Sequence, residues 1–303
     1  MSAAPGAAAL LDPANESTTW DKIDSVDSIT PEPLEAKSDR PSFYDDGSGC
    51  QIKAGNPVPK ICASGDKSAE KSLMLVGDSK IGQWQTAFSE IGRREGWRVL
   101  TATKSGCAFT DASTKGGGES RDDCRGWGRS TMKQILKKKP DVVVTSQVHD
   151  LALPEGKTSA KDRTKNAMIQ GLHSYWNQLQ DAGIQVVVML DNPMPTTHPV
   201  YQCVEDNPQS LSKCAYSLDE AWPGSSAPVQ RKAVESTAGV RVIDMMSTIC
   251  PGRVMCPAVI GNVLVYRAGS HITDTFTVSA QTQLAEALAA ATDGKFGTAP
   301  PTG

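Results

Sequence analysis

No apolar run in this chain approaches the ~20 residues that a membrane-spanning helix needs. The N-terminus, Met1-Ser2-Ala3-Ala4-Pro5, has neither the basic stretch nor the long apolar stretch of an export signal. Neither sign of charge dominates: 31 Lys and Arg stand against 34 Asp and Glu. No stripe of basic residues runs along the chain, which excludes the electrostatic footprint of a nucleic-acid binder. Lys137-Lys138-Lys139 precedes Pro140 and reads as a solvated helix end, where cations complement the dipole. There is no Cys-x-x-Cys, and none of the four histidines stands at zinc-finger spacing, so no metal and no other cofactor is expected. No internal repeat is present.

The eight cysteines that are present fall into sequence-local pairs: Cys50 with Cys62, Cys107 with Cys124, Cys203 with Cys214, and Cys250 with Cys256. Eight cysteines allow 105 pairings. The local set is the expectation, and eight free buried thiols are the alternative. Disulfides imply an oxidising compartment. An oxidised chain without an export signal is reconciled if it is a piece of a longer membrane or secreted precursor.

Residues 1–49 are rich in Pro, Ser, Ala and Asp without periodicity and read as a linker or an extended wrap on the domain surface. Asn15-Glu16-Ser17 matches a glycosylation sequon. From residue 70 onward strand and helix patterns alternate. Strands are expected at 73–76, 98–102, 142–145, 186–190 and 240–243. Helices are expected at 81–95, 127–138, 161–182, 228–237 and 273–291. That alternation predicts a parallel sheet with helices on both faces and a site at the carboxyl ends of the strands. Residues 192–227 read as an irregular stapled excursion, Gly116-Gly117-Gly118 as a surface loop, and 293–303 as a disordered tail.

Gly77-Asp78-Ser79 follows the apolar run Leu73-Met74-Leu75-Val76. Gly after such a run marks a sharp turn. A serine there opens the next helix, where free N–H groups favour a developing oxyanion; its plainer role is an N-cap. Other strand ends bring Ser105-Gly106-Cys107, then Ser146, Gln147 and His149, then Asp191 and Asn192. His271 precedes the last helix, whereas His173 and His198 read as structural or surface residues.

Taken in order, Gly77-Asp78-Ser79 with Gln83-Trp84, Lys104 to Cys107, Cys124 with Trp127, Val259 to Arg267, and Ser270-His271-Ile272-Thr273 form a pattern. It resembles the SGNH hydrolase-like domain fused to the C-terminus of bacterial acyltransferase family 3 membrane proteins, over about residues 40–292. The resemblance implies a three-layer α/β/α, flavodoxin-like fold with a mainly parallel sheet over 50–292. Residues 1–49 would join it to an upstream membrane domain that supplies the acyl donor outside the cytoplasm. It implies Ser79 as nucleophile, His271 as general base, and the N–H groups of Ser79 and Gly106 as oxyanion donors. The family's third donor, an Asn after strand three, is missing; Gln147 and His149 are the candidates. Its Asp three residues before the His is Ala268 here, and its frequent His after Gly-Asp-Ser is Lys80. Asp274 points a turn away from His271, and Asp78 and Asp191 are more distant contributors. Trp84 and Lys80 are the expected substrate contacts, with Trp127 and Tyr266 as further stacking faces. The expected activity is O-acyl transfer, acetyl above all, through Ser79 to a hydroxyl of an envelope glycan or glycolipid. The alternatives are a carbohydrate esterase using the same pair and a non-catalytic glycan-binding domain.

Overall fold

The computed structural model describes residues 4–53, 55–114, 123–197 and 199–297. His198 and Gly116-Gly117-Gly118 lie outside them. Six strands run parallel in the order β1 (Gln51–Ile52), β4 (Arg98–Lys104), β3 (Ser72–Gly77), β5 (Val142–Ser146), β6 (Gln185–Met189) and β8 (Arg241–Ile243). β2 (Cys62–Gly65) adds antiparallel to the outer edge of β4, alongside the register that β1 occupies. The expected parallel α/β fold is present.

The sheet is buried on both faces, and alternate residues feed two cores. Leu73, Leu75, Val142, Val144, Val187 and Met189 point to one face. Met74, Val76, Val143, Val186 and Val188 point to the other. The first face is covered by α1 (Ser79–Gly82), α2 (Gln85–Glu95), α9 (Asp274–Ser279) and α10 (Gln281–Ala291). The second is covered by α3 (Asp123–Lys138), α4 (Lys165–Asp181) and α7 (Ala227–Glu235). Two long helix expectations resolve into pairs, one broken at Gln83-Trp84 and the other at Ala280.

The excursion after β6 carries α5 (Val200–Asp206), β7 (Tyr216–Ser217) and α6 (Leu218–Ala221). After α8 (Met246–Ile249), β9 (Met255–Cys256) pairs back with β7. Two hairpins follow: β10 (Val259–Ile260) with β11 (Val263–Leu264), and β12 (Tyr266–Ala268) with β13 (His271–Ile272). The cysteines pair locally as four disulfides, Cys50–Cys62, Cys107–Cys124, Cys203–Cys214 and Cys250–Cys256.

The described residues before the sheet lie on the domain. Short 3₁₀ turns place Ala7, Ala9, Ala36 and Phe43 in buried positions. Backbone bonds run from Gly6 N–H to Gly261 O (2.8 Å) and from Thr30 N–H to Asn262 O (2.9 Å). The Asp39 side chain accepts from Thr275 N–H at the start of α9. At the other end Phe296 is buried edge-on against Trp97, with ring centroids 5.3 Å apart. Packing therefore continues four residues past the expected boundary at 292.

Candidate active site

The site lies where the parallel strands end. β3 finishes at Gly77, whose φ of +144° is open to glycine alone. Asp78 then caps α1: one carboxylate oxygen accepts Lys80 N–H at 2.9 Å, and the other accepts Val148 N–H at 2.8 Å. This buried carboxylate ties the serine turn to the loop after β5. Burial pushes its pKa up to about 7 against the opposing pull of those two bonds.

Ser79 Oγ stands 2.8 Å from Nε2 of His271, on the β12–β13 hairpin. The other ring nitrogen, Nδ1, is 3.3 Å from the carbonyl oxygen of Ala268. A carbonyl only accepts, so Nδ1 carries the hydrogen and Nε2 offers its lone pair to the serine hydroxyl. The backbone of Ala268 thus meets the nitrogen that a triad carboxylate would meet. Burial, then the Lys80 ammonium, then the Arg267 guanidinium push the His271 pKa down to about 3, so the ring is neutral at physiological pH. Asp274 opens α9, and burial raises its pKa to about 6; its hydrogen-bond partner is Thr86.

Lys80 is only 1% exposed. Its ammonium meets Asp191 at 2.9 Å, Ser270 O at 2.8 Å and Ser270 Oγ at 2.7 Å. The contact with Asp191 is off the angle of a directed hydrogen bond and acts as a charge pair. Burial raises the Asp191 pKa, and the ammonium opposes that rise. Asn192 donates to Ser270 O at 2.6 Å and accepts from Gln83 Nε2 at 2.9 Å. Gln83 Oε1 accepts Ile272 N–H at 2.9 Å.

Gly106 turns the chain after β4 at φ +60°. Its loop is braced twice. Lys104, fully buried, pairs with Asp123 at 2.9 Å and donates to the carbonyls of Lys53 and Asn56. Cys107 is joined to Cys124. A Cβ placed on Gly106 would lie 3.8 Å from His149 Nε2, so that imidazole borders the Gly106 loop. Gln147 is fully buried and turned the other way, toward α7, where its Oε1 accepts from Gln230 Nε2 at 3.5 Å.

The expected residues therefore divide. Ser79, Gly106, His149 and His271 each keep some contact with solvent. Lys80, Trp84 and Gln147 are sealed inside, which corrects Lys80 and Trp84 as substrate contacts: the ammonium is fully engaged, and the indole is core. Trp127 and Tyr266 are core as well; the Tyr266 hydroxyl bonds that of Tyr216 at 2.9 Å. His173 links α4 to α7 through Ala233 O and Ser236 Oγ. Ser270 and Asn192 hold the histidine hairpin, a role that only tertiary contact reveals. Cys107, Asp123 and Cys124 approach one another, but the two sulfurs are bonded together and Asp123 is paired, so the trio is no ligand set. A cleft of about 850 Å³ beside α4 is lined by Asp111, Arg129, Leu153 and Gln170 and by neither member of the Ser–His pair.

Residues 49–285 match the family described as the SGNH domain fused to AT3 domains. The chain belongs to this SGNH family. Among solved structures it is similar to the periplasmic domain of a lipopolysaccharide acetyltransferase from Salmonella ser. Paratyphi A. The TM-score is 0.54 at 13% identity, over 86% of this chain and 98% of that one. It is also similar to a putative acylhydrolase from Bacteroides fragilis NCTC 9343, with TM-score 0.45, 13% identity, and 76% and 91% covered. An acetyl xylan esterase gives TM-score 0.42 at 14% identity over 72% of this chain and 99% of its own. No curated protein sequence matches. At 13% identity the likeness to the acetyltransferase domain shows the fold alone and leaves the reaction to the site.

Proposed function

We propose that this SGNH domain transfers an acyl group, acetyl above all, through Ser79 to a hydroxyl of an envelope glycan or glycolipid. The observation that carries this reading is the 2.8 Å contact between Ser79 Oγ and a neutral His271 whose far nitrogen is held by Ala268 O. Nε2 takes the hydroxyl proton as Oγ attacks the acyl carbonyl. The N–H groups of Ser79 and Gly106 receive the oxyanion, with the His149 imidazole as third donor in place of the family's Asn. His271 returns the proton to the departing alcohol, leaving an acyl-serine. It then deprotonates the acceptor hydroxyl, which attacks the ester and frees Ser79. The family's fusion to AT3 domains supports an upstream membrane domain as the acyl source, and four disulfides support an extracytoplasmic site.

Hydrolysis uses the same pair with water as acceptor, so product analysis decides between the two. With 4-nitrophenyl acetate and a free sugar acceptor, acetylated sugar is expected to form faster than free acetate. Acetate alone would make the domain an esterase, and no acyl-serine by intact mass would leave a binding domain.

The Gly106 loop offers a second check. Cys107→Ala/Cys124→Ala is expected to cost about 2–3 kcal/mol of stability, the value of closing so short a loop. It should also slow ester turnover by roughly tenfold, because a loosened donor stabilises the oxyanion less. Urea unfolding and steady-state kinetics report the two effects, and lost stability with unchanged turnover would separate this loop from the chemistry.

A further inference from the structure

Among the described residues no carboxylate is bonded to the His271 ring, so other groups must fix the hairpin that carries it. The side chains around it do so from both sides. Lys80 and Asn192 converge on the carbonyl oxygen of Ser270, before the histidine, and Lys80 also takes the Ser270 hydroxyl. Gln83 holds the N–H of Ile272, after it. We propose that Lys80, anchored by Asp191, is the positioning residue that locks the Ala268–His271 turn and so takes over the orienting duty of the missing carboxylate. The inference rests on the reading of Ser79 and His271 as the reacting pair.

The energetics favour a positional role. Burying an ammonium against a carboxylate costs about as much desolvation as the attraction returns, and apolar residues of similar size often do as well. A fully buried Lys–Asp pair is therefore poor evidence for stability. Lys80 is the residue after the nucleophile, and its ammonium, paired with Asp191, also bonds Ser270, the residue before the base. It ties the two halves of the reacting pair to the end of β6. The ammonium also stands close enough to His271 to help keep the ring neutral.

The test compares the wild-type chain with Lys80→Met/Asp191→Asn. That double variant removes both charges together and leaves an oxygen for Ser226 N–H, which Asp191 now accepts at 3.1 Å. With 4-nitrophenyl acetate, kcat is expected to fall roughly 10–100-fold, the scale of a misplaced catalytic group, while KM stays within about twofold. The acid limb of kcat/KM should move upward from well below the ordinary histidine range, since a cation beside His271 has gone. Arg267 on β12 remains as the other cation. Asp78 beside α1 and Asp274 on α9 are the acids on the adjoining elements. Adding Ala268→Asp should restore part of the lost kcat, which repair of a merely structural lesion would not do. Thermal unfolding verifies the fold. Should the double variant not fold, Ser270→Ala is the milder arm, with a smaller loss of kcat at unchanged KM.

Unchanged kcat and an unmoved acid limb in a folded variant would overturn the inference. Acyl-serine forming equally fast in both proteins removes this inference alone. A wild-type protein that forms none removes the underlying reading and the inference with it.

Discussion

Ser79→Ala is expected to abolish the acyl-enzyme and to lower ester turnover by a factor on the order of 10⁴ or more. The size follows from what remains. Without Oγ no covalent intermediate forms, and His271 can act only as a base toward solvent. Removing one member of such a unit costs nearly as much as removing the whole, because the groups act in a single step. His271→Ala should therefore match Ser79→Ala, and the double variant should be little worse than either. Stability should hardly change, because Ser79 is half-buried and loses one hydrogen bond, worth about 1 kcal/mol. Intact mass after an activated acetate, followed by 4-nitrophenyl acetate kinetics on all three variants, reports this pattern. An acetyl adduct that persists in Ser79→Ala would mean that another residue is the nucleophile.

The parts of the molecule that were readable in advance are those set by local rules. Leu73 to Val76 and Val142 to Val144 are continuous apolar runs because both faces of a parallel strand are covered, and the structure buries alternate residues in two cores. Gly77, Asp78 and Ser79 announce the strand-to-helix turn through one residue that needs an unusual φ and one that caps. β1 and β2 escaped because each is a short edge segment whose pairing with β4 depends on residues some fifty and forty positions away rather than on pattern. The described part of 1–49 docks through backbone bonds, through buried Ala7, Ala36 and Phe43, and through half-buried Leu10, Trp20, Val26 and Ile29, whose irregular spacing leaves no periodicity.

At the site, order and context were enough to expect Ser79 beside His271 and Gly106 at a neighbouring strand end, which is where the structure has them. The roles of Lys80, Trp84 and Gln147 were not legible, because sequence shows that a residue is polar or aromatic and not which way it faces. A Lys after Ser79 suggests a ligand contact until Asp191 and Ser270 are seen to consume its ammonium. The choice between Gln147 and His149 likewise depends on direction: one side chain turns to Gln230 and the other to Gly106.

Gly77→Ala should be among the most damaging single-methyl changes to the fold. Gly77 closes β3 in register with Ser146 of β5. A Cβ there would stand 2.2 Å from the carbonyl oxygen of Ser146, which is backbone in the middle of the sheet and cannot swing away as a side chain could. The φ of +144° is itself a conformation that an L-residue rarely holds. Clash and strain act together, so relief requires β3 and β5 to separate or the turn to Asp78 to change course. Either movement pulls Asp78 from Val148 N–H and Ser79 from His271. The expected cost is about 3–5 kcal/mol, a fall in melting temperature of roughly 10 °C, with acyl-enzyme formation lost in whatever protein remains folded. Differential scanning calorimetry beside an acylation time course tests both effects. Gly96→Ala is the internal control. It also has positive φ, +71°, but no atom stands within 4 Å of its Cβ position, so only the backbone term of about 1 kcal/mol should appear. Equal melting temperatures for the two variants would show that crowding at the β3–β5 boundary is not what requires glycine before Asp78.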